Sequence, residues 1–348
     1  MISDRLLLPL SQAQRPLYAG VDLGGTNIKA ALVDDTGRLI AFHTEKTHAE
    51  RGPEDAAARM GQSVHLLART AGIATADIAG VGLGSPGPLD IPAGTIVRAG
   101  NLVGWDNFPL RECVAIHCGL PVTFANDANA AAYGEFWVGA ARDQGSLVMV
   151  TLGTGVGGGI IIGDVNVEGA HSHGSECGHM IVDPFPTARM CPCGQLGHLE
   201  AYASAKSLVA RAEEALAAGG GGSLAAAVAA GEPLTPILVG REAEAGDSLA
   251  GELVRETGRW LGIGIVSIMH AIDPEVVLIG GAMTFGGESG PVGRAFLAQI
   301  RQEVCRRTFS TLAAETVIGF ASLGGDAGSI GAAGLARLKA RRRVESRV

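Results

Sequence analysis

No stretch of this 348-residue sequence stays apolar for long enough to cross a bilayer. The longest run, Trp260 to Ile272, falls short of the roughly 20 residues a span requires, and its glycines suit a close-packed interior helix. A secretory leader is missing as well. Leu6–Leu10 is short, is broken by Pro9, and lacks a basic flank and a small-residue cleavage site. Positive charge is scarce: 27 Lys and Arg against 35 Asp and Glu leave a net −8. That argues against nucleic acid as the main partner, since binding a phosphate backbone needs a basic face. The arginines at 341–343 are read as complementing a helix dipole and nothing more. Nor do the six cysteines suggest a disulfide framework. Cys191 and Cys193 are spaced for a metal, and Cys113, Cys118 and Cys305 read as buried or bystander thiols. The expectation is a cytoplasmic chain with reduced thiols, no membrane and no nucleic acid.

Glycine, by contrast, is abundant: 52 residues in short runs without a collagen-like period, as tight turns and close backbone approaches to ligands require. With 47% hydrophobic and 18% charged residues the chain is globular and long enough for two domains. From Leu17, two β-rich runs flank a glycine turn, LYAGVDLGG and TNIKAALVDD. A helix follows from Pro53 to Ala71, with apolar positions at Ala57, Met60, Val64, Leu67 and Ala68. Next come a strand in IAGVGLGSPGPLD, a loop carrying Asn101, Trp105 and Pro109, a helix around Leu110–Cys118, and the strand PVTFAND. Asp127 is a credible N-cap for the helix DANAAAYGEFWVG. LVMVTLGTGVGGGIIIGD then repeats the opening pattern about 130 residues later. Two similar α/β halves with a ligand between them is the architecture this repetition predicts. Farther on, Gly219–Gly222 reads as a connection between helices, 247–271 as a helix, EVVLIGGAM as a strand, and GGDAGSIGAAG as a turn opening a helix.

Three elements carry phosphate-transfer chemistry. In the first glycine turn, Gly24, Gly25 and Thr26 can approach phosphate oxygens, Lys29 lies in the same motif, and Asp22 can hold Mg²⁺. The second turn offers Gly153, Thr154 and Gly155 in the same way. Gly153, Gly155 and Gly158 also fit GxGxxG, but a strand, Ile160–Ile162, follows where a dinucleotide fingerprint demands a helix. No GxxxxGK(S/T) loop is present, which disfavours a P-loop enzyme. The third element is Asn126-Asp127 at a strand–helix junction, where a carboxylate can orient an alcohol and take its proton.

A separate Cys/His segment points to zinc. His179, Cys191, Cys193 and His198 make a Cys₂His₂ set for a structural, closed tetrahedral site, beside the carboxylates Glu176 and Glu200. His171, His173 and Cys177 are competing ligands.

These motifs together resemble the ROK family of sugar kinases, and within it the bacterial glucokinases, from about Tyr18 to Leu335. The residues that carry the resemblance are DLGGTNIK, GSPGPLD, NLVGW, NDANAAA, LGTGVGGG, ExGH at Glu176–His179, CPCGQLGHLE, DPEVVLIGGAM and GGDAGSIGAAG. The resemblance implies an actin-like (ribonuclease H-like) duplicated α/β fold with two domains around a cleft. The domains are expected at 1–123, joined by a C-terminal helix at 331–348, and at 124–330. It implies ATP as donor and glucose as favoured acceptor, with Asp127 as base toward the 6-hydroxyl. Asn126, Glu176, His179 and Glu200 would bind sugar hydroxyls, the backbone at Gly87 would line the pocket, and Gly280 and Gly281 would lie near adenosine. His179 would serve both zinc and sugar. Other hexoses and N-acetylhexosamines (fructose, mannose, N-acetylmannosamine, N-acetylglucosamine) and polyphosphate as donor are the alternatives within the family. A sugar-responsive repressor is the alternative outside it, disfavoured because the first hairpin begins by Tyr18 and leaves no room for a helix-turn-helix domain. Homodimers or homotetramers are the family habit. Two positions depart from the family pattern: His198 stands where a third cysteine is usual, and Cys177 where a bulkier apolar residue is.

Overall fold

Leu17–Leu23 (β1) is apolar except at Gly20 and Asp22, and it pairs antiparallel with Asn27–Val33 (β2), Asp22 opposite Lys29. Leu39–Lys46 (β3) extends the sheet beyond β2. Pro53–Ala71 (α1) starts with Pro at its first turn and ends on Gly72, as Pro and Gly favour. Ile78–Ser85 (β4) is nearly continuous in burial, as a central parallel strand should be. Leu89–Asp90 (β5) and Thr95–Ile96 (β6) form a short separate ladder. Leu110–Cys118 (α2), Val122–Asn126 (β7) and Asp127–Trp137 (α3) follow. The computed structural model describes residues 6–98, 102 and 104–345; Asn101 and Val103 of the NLVGW motif lie outside the described residues.

Ser146–Leu152 (β8), Val156–Ile162 (β9) and Val165–Asn166 (β10) open the second half. After the Cys/His segment come Glu200–Ala203 (α4), Ala205–Ala217 (α5), Ser223–Ala229 (α6), Pro236–Glu244 (α7) and Ser248–Ile272 (α8). Val276–Gly281 (β11), Pro291–Arg307 (α9), Ser310–Glu315 (α10), Val317–Phe320 (β12) and Ala327–Glu345 (α11) complete the order. The first five-stranded sheet runs β3-β2-β1-β4-β7 and the second β10-β9-β8-β11-β12. The two orders are the same pattern repeated, an antiparallel hairpin side followed by parallel strands. The duplication expected from the two glycine turns is therefore present in the topology.

Contacts divide the chain into two compact units, Met1–Gln144 with Gly159–Ser175 and Ser322–Val348, and Gly145–Gly158 with Glu176–Ala321. These bounds differ from those expected at 123/124 and 330/331. α3 and the whole of α11 belong to the first unit, because α3 packs along α11 and α11 packs on β1 and β4.

In the first unit, Met60, Val64 and Leu67 of α1 recur at helical spacing and join Val21, Leu83 and Phe124 in one core on one face of the sheet. On the other face, Ile330, Ala333 and Ala336 of α11 meet Tyr18, Ala31 and Val33. The approach there is backbone to backbone. A Cβ added at Gly20 would fall 1.9 Å from Ser329 O, and one at Gly82 only 1.7 Å from Ala332 O. In the second unit α8 buries Leu261, Ile265, Ile268 and Met269, confirming the interior helix read from its glycines. Among the described residues no helix is long and apolar enough to cross a membrane.

Candidate functional site

The first unit gathers its chemistry at the carboxyl ends of parallel strands, where α/β sheets bind ligands. Register aligns Asp22 of β1 with Gly84 of β4, and Ser85 of β4 with Asn126 of β7. The Asp22 carboxylate lies beside Gly84, its Oδ1 3.7 Å from where a Cβ would stand. Burial, and after it the Asp127 carboxylate, push Asp22 up to about 7, with Lys29 opposing. Lys29 Nζ donates to Gly325 O at 2.5 Å, so this lysine ties the first hairpin to the turn before α11. The turn itself closes through Gly24 N to Asn27 O at 3.0 Å and is strapped by Thr47. Thr47 Oγ1 donates to Gly24 O at 2.6 Å and Thr47 N to Thr26 O at 3.0 Å. Thr47 is fully buried, and no motif marked it.

The cap of α3 is a correction. Asn126, not Asp127, is the N-cap: its Oδ1 accepts from Ala128 N at 2.9 Å and Asn129 N at 3.2 Å. Asp127 occupies the first helical position, and its Oδ1 accepts from Ala128 N at 2.8 Å. Asn126 Nδ2 points past the cap, 3.7 Å from where a Cβ at Gly87 would stand. Asn126 thus lies beside Gly87, while the Asp127 Cα is 3.6 Å from where a Cβ at Gly84 would stand.

In the second unit the β8–β9 turn closes through Gly153 N to Gly155 O at 3.0 Å. Ala205 N, at the start of α5, donates to Gly153 O at 2.9 Å. The end of β11 lies beside the turn, Gly280 opposite Thr151 and Gly281 opposite Leu152. A pocket of about 460 Å³ opens just beyond Gly281, walled by Ala282, Met283 and Phe285 and by Ile237, Gly240 and Arg241 of α7. The contribution of α7 has no sequence signature; only packing brings it there.

The Cys/His segment folds as a tight clip. Cys191 N donates to Gln195 O at 2.8 Å, Gly194 N to Cys191 O at 2.9 Å, and short bridges join Ile181 to His198 and Met190 to Leu196. Gly197 has φ of 78° and abuts Asp183 O, so only glycine serves there. Tyr202 anchors the clip to α8 by ring contact with Trp260 and accepts from Arg189 N at 2.8 Å.

The donor atoms of His179, Cys191, Cys193 and His198 lie within 4.8 Å of one another. The two Nδ1 atoms are 3.3 Å apart, Cys193 Sγ is 3.2 Å from His198 Nδ1, and Cys191 Sγ is 3.8 Å from His179 Nδ1. Tetrahedral Zn²⁺ with ordinary Zn–N and Zn–S lengths needs ligand–ligand separations of about 3.3–3.8 Å, so the set fits. Burial, then the neighbouring His179, lower His198, which favours the neutral form that ligates metals. His171, His173 and Cys177 are outside the converging group. Cys177 is buried, and burial followed by Glu176 pushes its thiol up to about 12.

Two carboxylates, Glu176 and Glu200, flank this cluster. His179 Nε2 is 4.0 Å from Glu176 Oε2. Glu200 begins α4, and its Oε2 accepts from Val156 N at 2.8 Å.

The ROK family pattern matches residues 18–339. A glucokinase of Halalkalibacterium halodurans is 32% identical over 89% of this chain and 91% of its own length. The crystal structure of a ROK hexokinase from Thermus thermophilus superposes with a TM-score of 0.79 at 32% identity, covering 94% of this chain and 99% of that one. A ROK family glucokinase from Streptomyces griseus, solved with glucose and AMPPNP, gives 0.75 at 34% identity, covering 92% and 99%.

Proposed function

Because the chain belongs to the ROK family and shares its duplicated, actin-like sugar-kinase fold, we propose that it is an ATP-dependent sugar kinase whose preferred acceptor is glucose. The observation that carries the reading is the junction of β7 and α3. It presents Asn126 beside Gly87 and Asp127 next along the chain, with Asp22 at the end of β1 on the far side of β4. Preference for glucose is supported by the glucokinases of Halalkalibacterium halodurans and Streptomyces griseus among the relatives. The NLVGW and CGQLGHLE segments support it from the sequence.

In this reading the sugar 6-oxygen forms a bond to the γ-phosphorus of ATP. The bond from that phosphorus to the β–γ bridging oxygen breaks, ADP leaves, and the hydroxyl proton passes to the Asp127 carboxylate. Asn126, Glu176, His179 and Glu200 bind sugar hydroxyls. The backbone at 24–26 and 153–155 meets the ATP phosphates, and the pocket past Gly281 takes the adenine. Mg²⁺ would be held by Asp22 together with ATP phosphates, which suits an ion usually bound by one or two carboxylates and substrate, and would supply neutralising charge. Zinc would be held by His179, Cys191, Cys193 and His198; four protein ligands close its shell, so it supplies rigidity. Both Nδ1 atoms face the cluster, which leaves the His179 Nε2–H to donate to a sugar hydroxyl.

A coupled assay of ADP release across a panel of hexoses and N-acetylhexosamines tests the reading. The highest kcat/KM is expected with glucose and ATP. A better acceptor among the others would displace glucose, and no turnover with any sugar would remove the kinase reading itself.

A further inference from the structure

Glu200 is joined to two functional segments at once. One oxygen, Oε2, takes the Val156 amide at 2.8 Å, at the point where the β8–β9 turn enters β9. The other, Oε1, lies 3.9 Å from Cys191 Sγ in the metal-binding group. The fit at the turn is tight: a Cβ added at Gly155 would stand 2.2 Å from Glu200 Oε2. The carbonyl end of Val156 is closely approached too: a Cβ added at Gly178, between Glu176 and His179, would stand 2.1 Å from Val156 O. Val156 is therefore bonded at its amide by Glu200 and closely approached at its carbonyl by Gly178. With Gly153 N bound to Gly155 O and Val156 N bound to Glu200, the amides of Thr154 and Gly155 carry no protein acceptor among the described residues. Those two are the ones a phosphate would use.

We propose that Glu200 is a positioning residue for the nucleotide: through Val156 it sets the turn whose Thr154 and Gly155 amides receive the phosphates. This rests on the kinase reading above and adds to it, since the positioning role uses Oε2 and leaves Oε1 to the sugar. A turn flanked by two close approaches and fixed by one anchoring acceptor loses its preset geometry when the acceptor goes, and ordering it then falls to the ligand.

The test is isothermal titration of AMPPNP with Mg²⁺ into the zinc-loaded protein in the absence of any sugar. Zinc content and unfolding temperature are measured for each variant. Glu200→Ala is expected to weaken AMPPNP by about 3- to 10-fold, the range set by the net contribution of one ordinary hydrogen bond. Glu200→Asp, with its carboxylate withdrawn by one methylene, is expected to weaken it similarly, and it decides the matter should the alanine variant fail to fold. Glu200→Gln keeps an acceptor for Val156 N and is expected to hold affinity within about twofold, a rescue that a general loss of packing would not give. Unchanged AMPPNP affinity in the alanine or aspartate variant overturns the proposal and leaves Glu200 as a sugar ligand alone. Failure of the unaltered protein to bind AMPPNP would instead remove the kinase reading.

Discussion

Asn126 caps α3 and Asp127 follows it into the first turn, so two adjacent residues divide the work at one strand end. Stability and turnover should separate accordingly. Asn126→Ala is expected to cost about 1 kcal/mol in denaturant unfolding, the usual loss of a cap. Asp127→Ala should leave sugar affinity largely intact while kcat falls by ~10²–10⁴-fold. Near-normal turnover in that variant would end the assignment of Asp127 as base.

Metal analysis of the purified protein should find about one zinc per chain, given apparent binding energies of roughly 10–16 kcal/mol for structural sites. His198→Ala is expected to release the ion to a chelator that leaves the parent loaded, and His198→Cys to retain it. Competition with a colorimetric chelator reads both. Equal retention in the alanine variant would take His198 out of the ligand set.

Asp22 gives the stability a definite pH dependence. Its carboxyl is raised from 3.8 to about 7 in the folded protein, so the fold binds this proton more tightly than the unfolded chain does. The resulting stabilisation is complete below about pH 3.8 and is lost as pH rises through about 7. Thermal unfolding without nucleotide or Mg²⁺ should therefore show a decline across that window that Asp22→Asn flattens. Mg²⁺ competes with the same proton and should bind more tightly at about pH 8 than at about pH 6. An identical pH slope in the asparagine variant would contradict this account.

Gly82 faces the backbone of α11 with no space for a methyl group. Gly82→Ala is expected to destabilise the protein by at least the 1–3 kcal/mol typical of overpacking, because the obstructing atom is a helix carbonyl that cannot swing away. Urea unfolding measures it. A loss below about 0.5 kcal/mol would mean that α11 can slide.

Much of this was legible in the sequence because it is written in local pattern. α1 and α2 run over the residues their periodicity and turn signals indicated, and the two glycine turns announced the repeated sheet. The metal group was legible because Cys-x-Cys with nearby histidines is itself a local pattern, and the four expected donors converge. What escaped depends on contacts between distant segments. Thr47 straps a turn more than twenty residues before it, and Glu200 reaches back to Val156 across 44 residues. The cap of α3 was misassigned by one position because Asn and Asp are about equally good caps, and only the backbone geometry chooses between neighbours. The return of the C-terminal helix to the first unit was expected, but the units also differ from the expected bounds in placing α3 and residues 159–175 with it, because α3 packs along α11, a contact no composition shift marks.

That return also sets a schedule for synthesis. The strands of the first sheet are complete by Asn126, yet the face that carries Gly20 and Gly82 is covered by residues 327–336. At ribosomal rates of about 5–20 residues per second, that face waits about 10–40 s for its helix. During the interval a nascent chain carries an exposed, glycine-notched β surface while the whole second unit is being made. A chaperone that shields flat apolar sheet would find its substrate there, and a ribosome stalled before residue 327 would leave it permanently open.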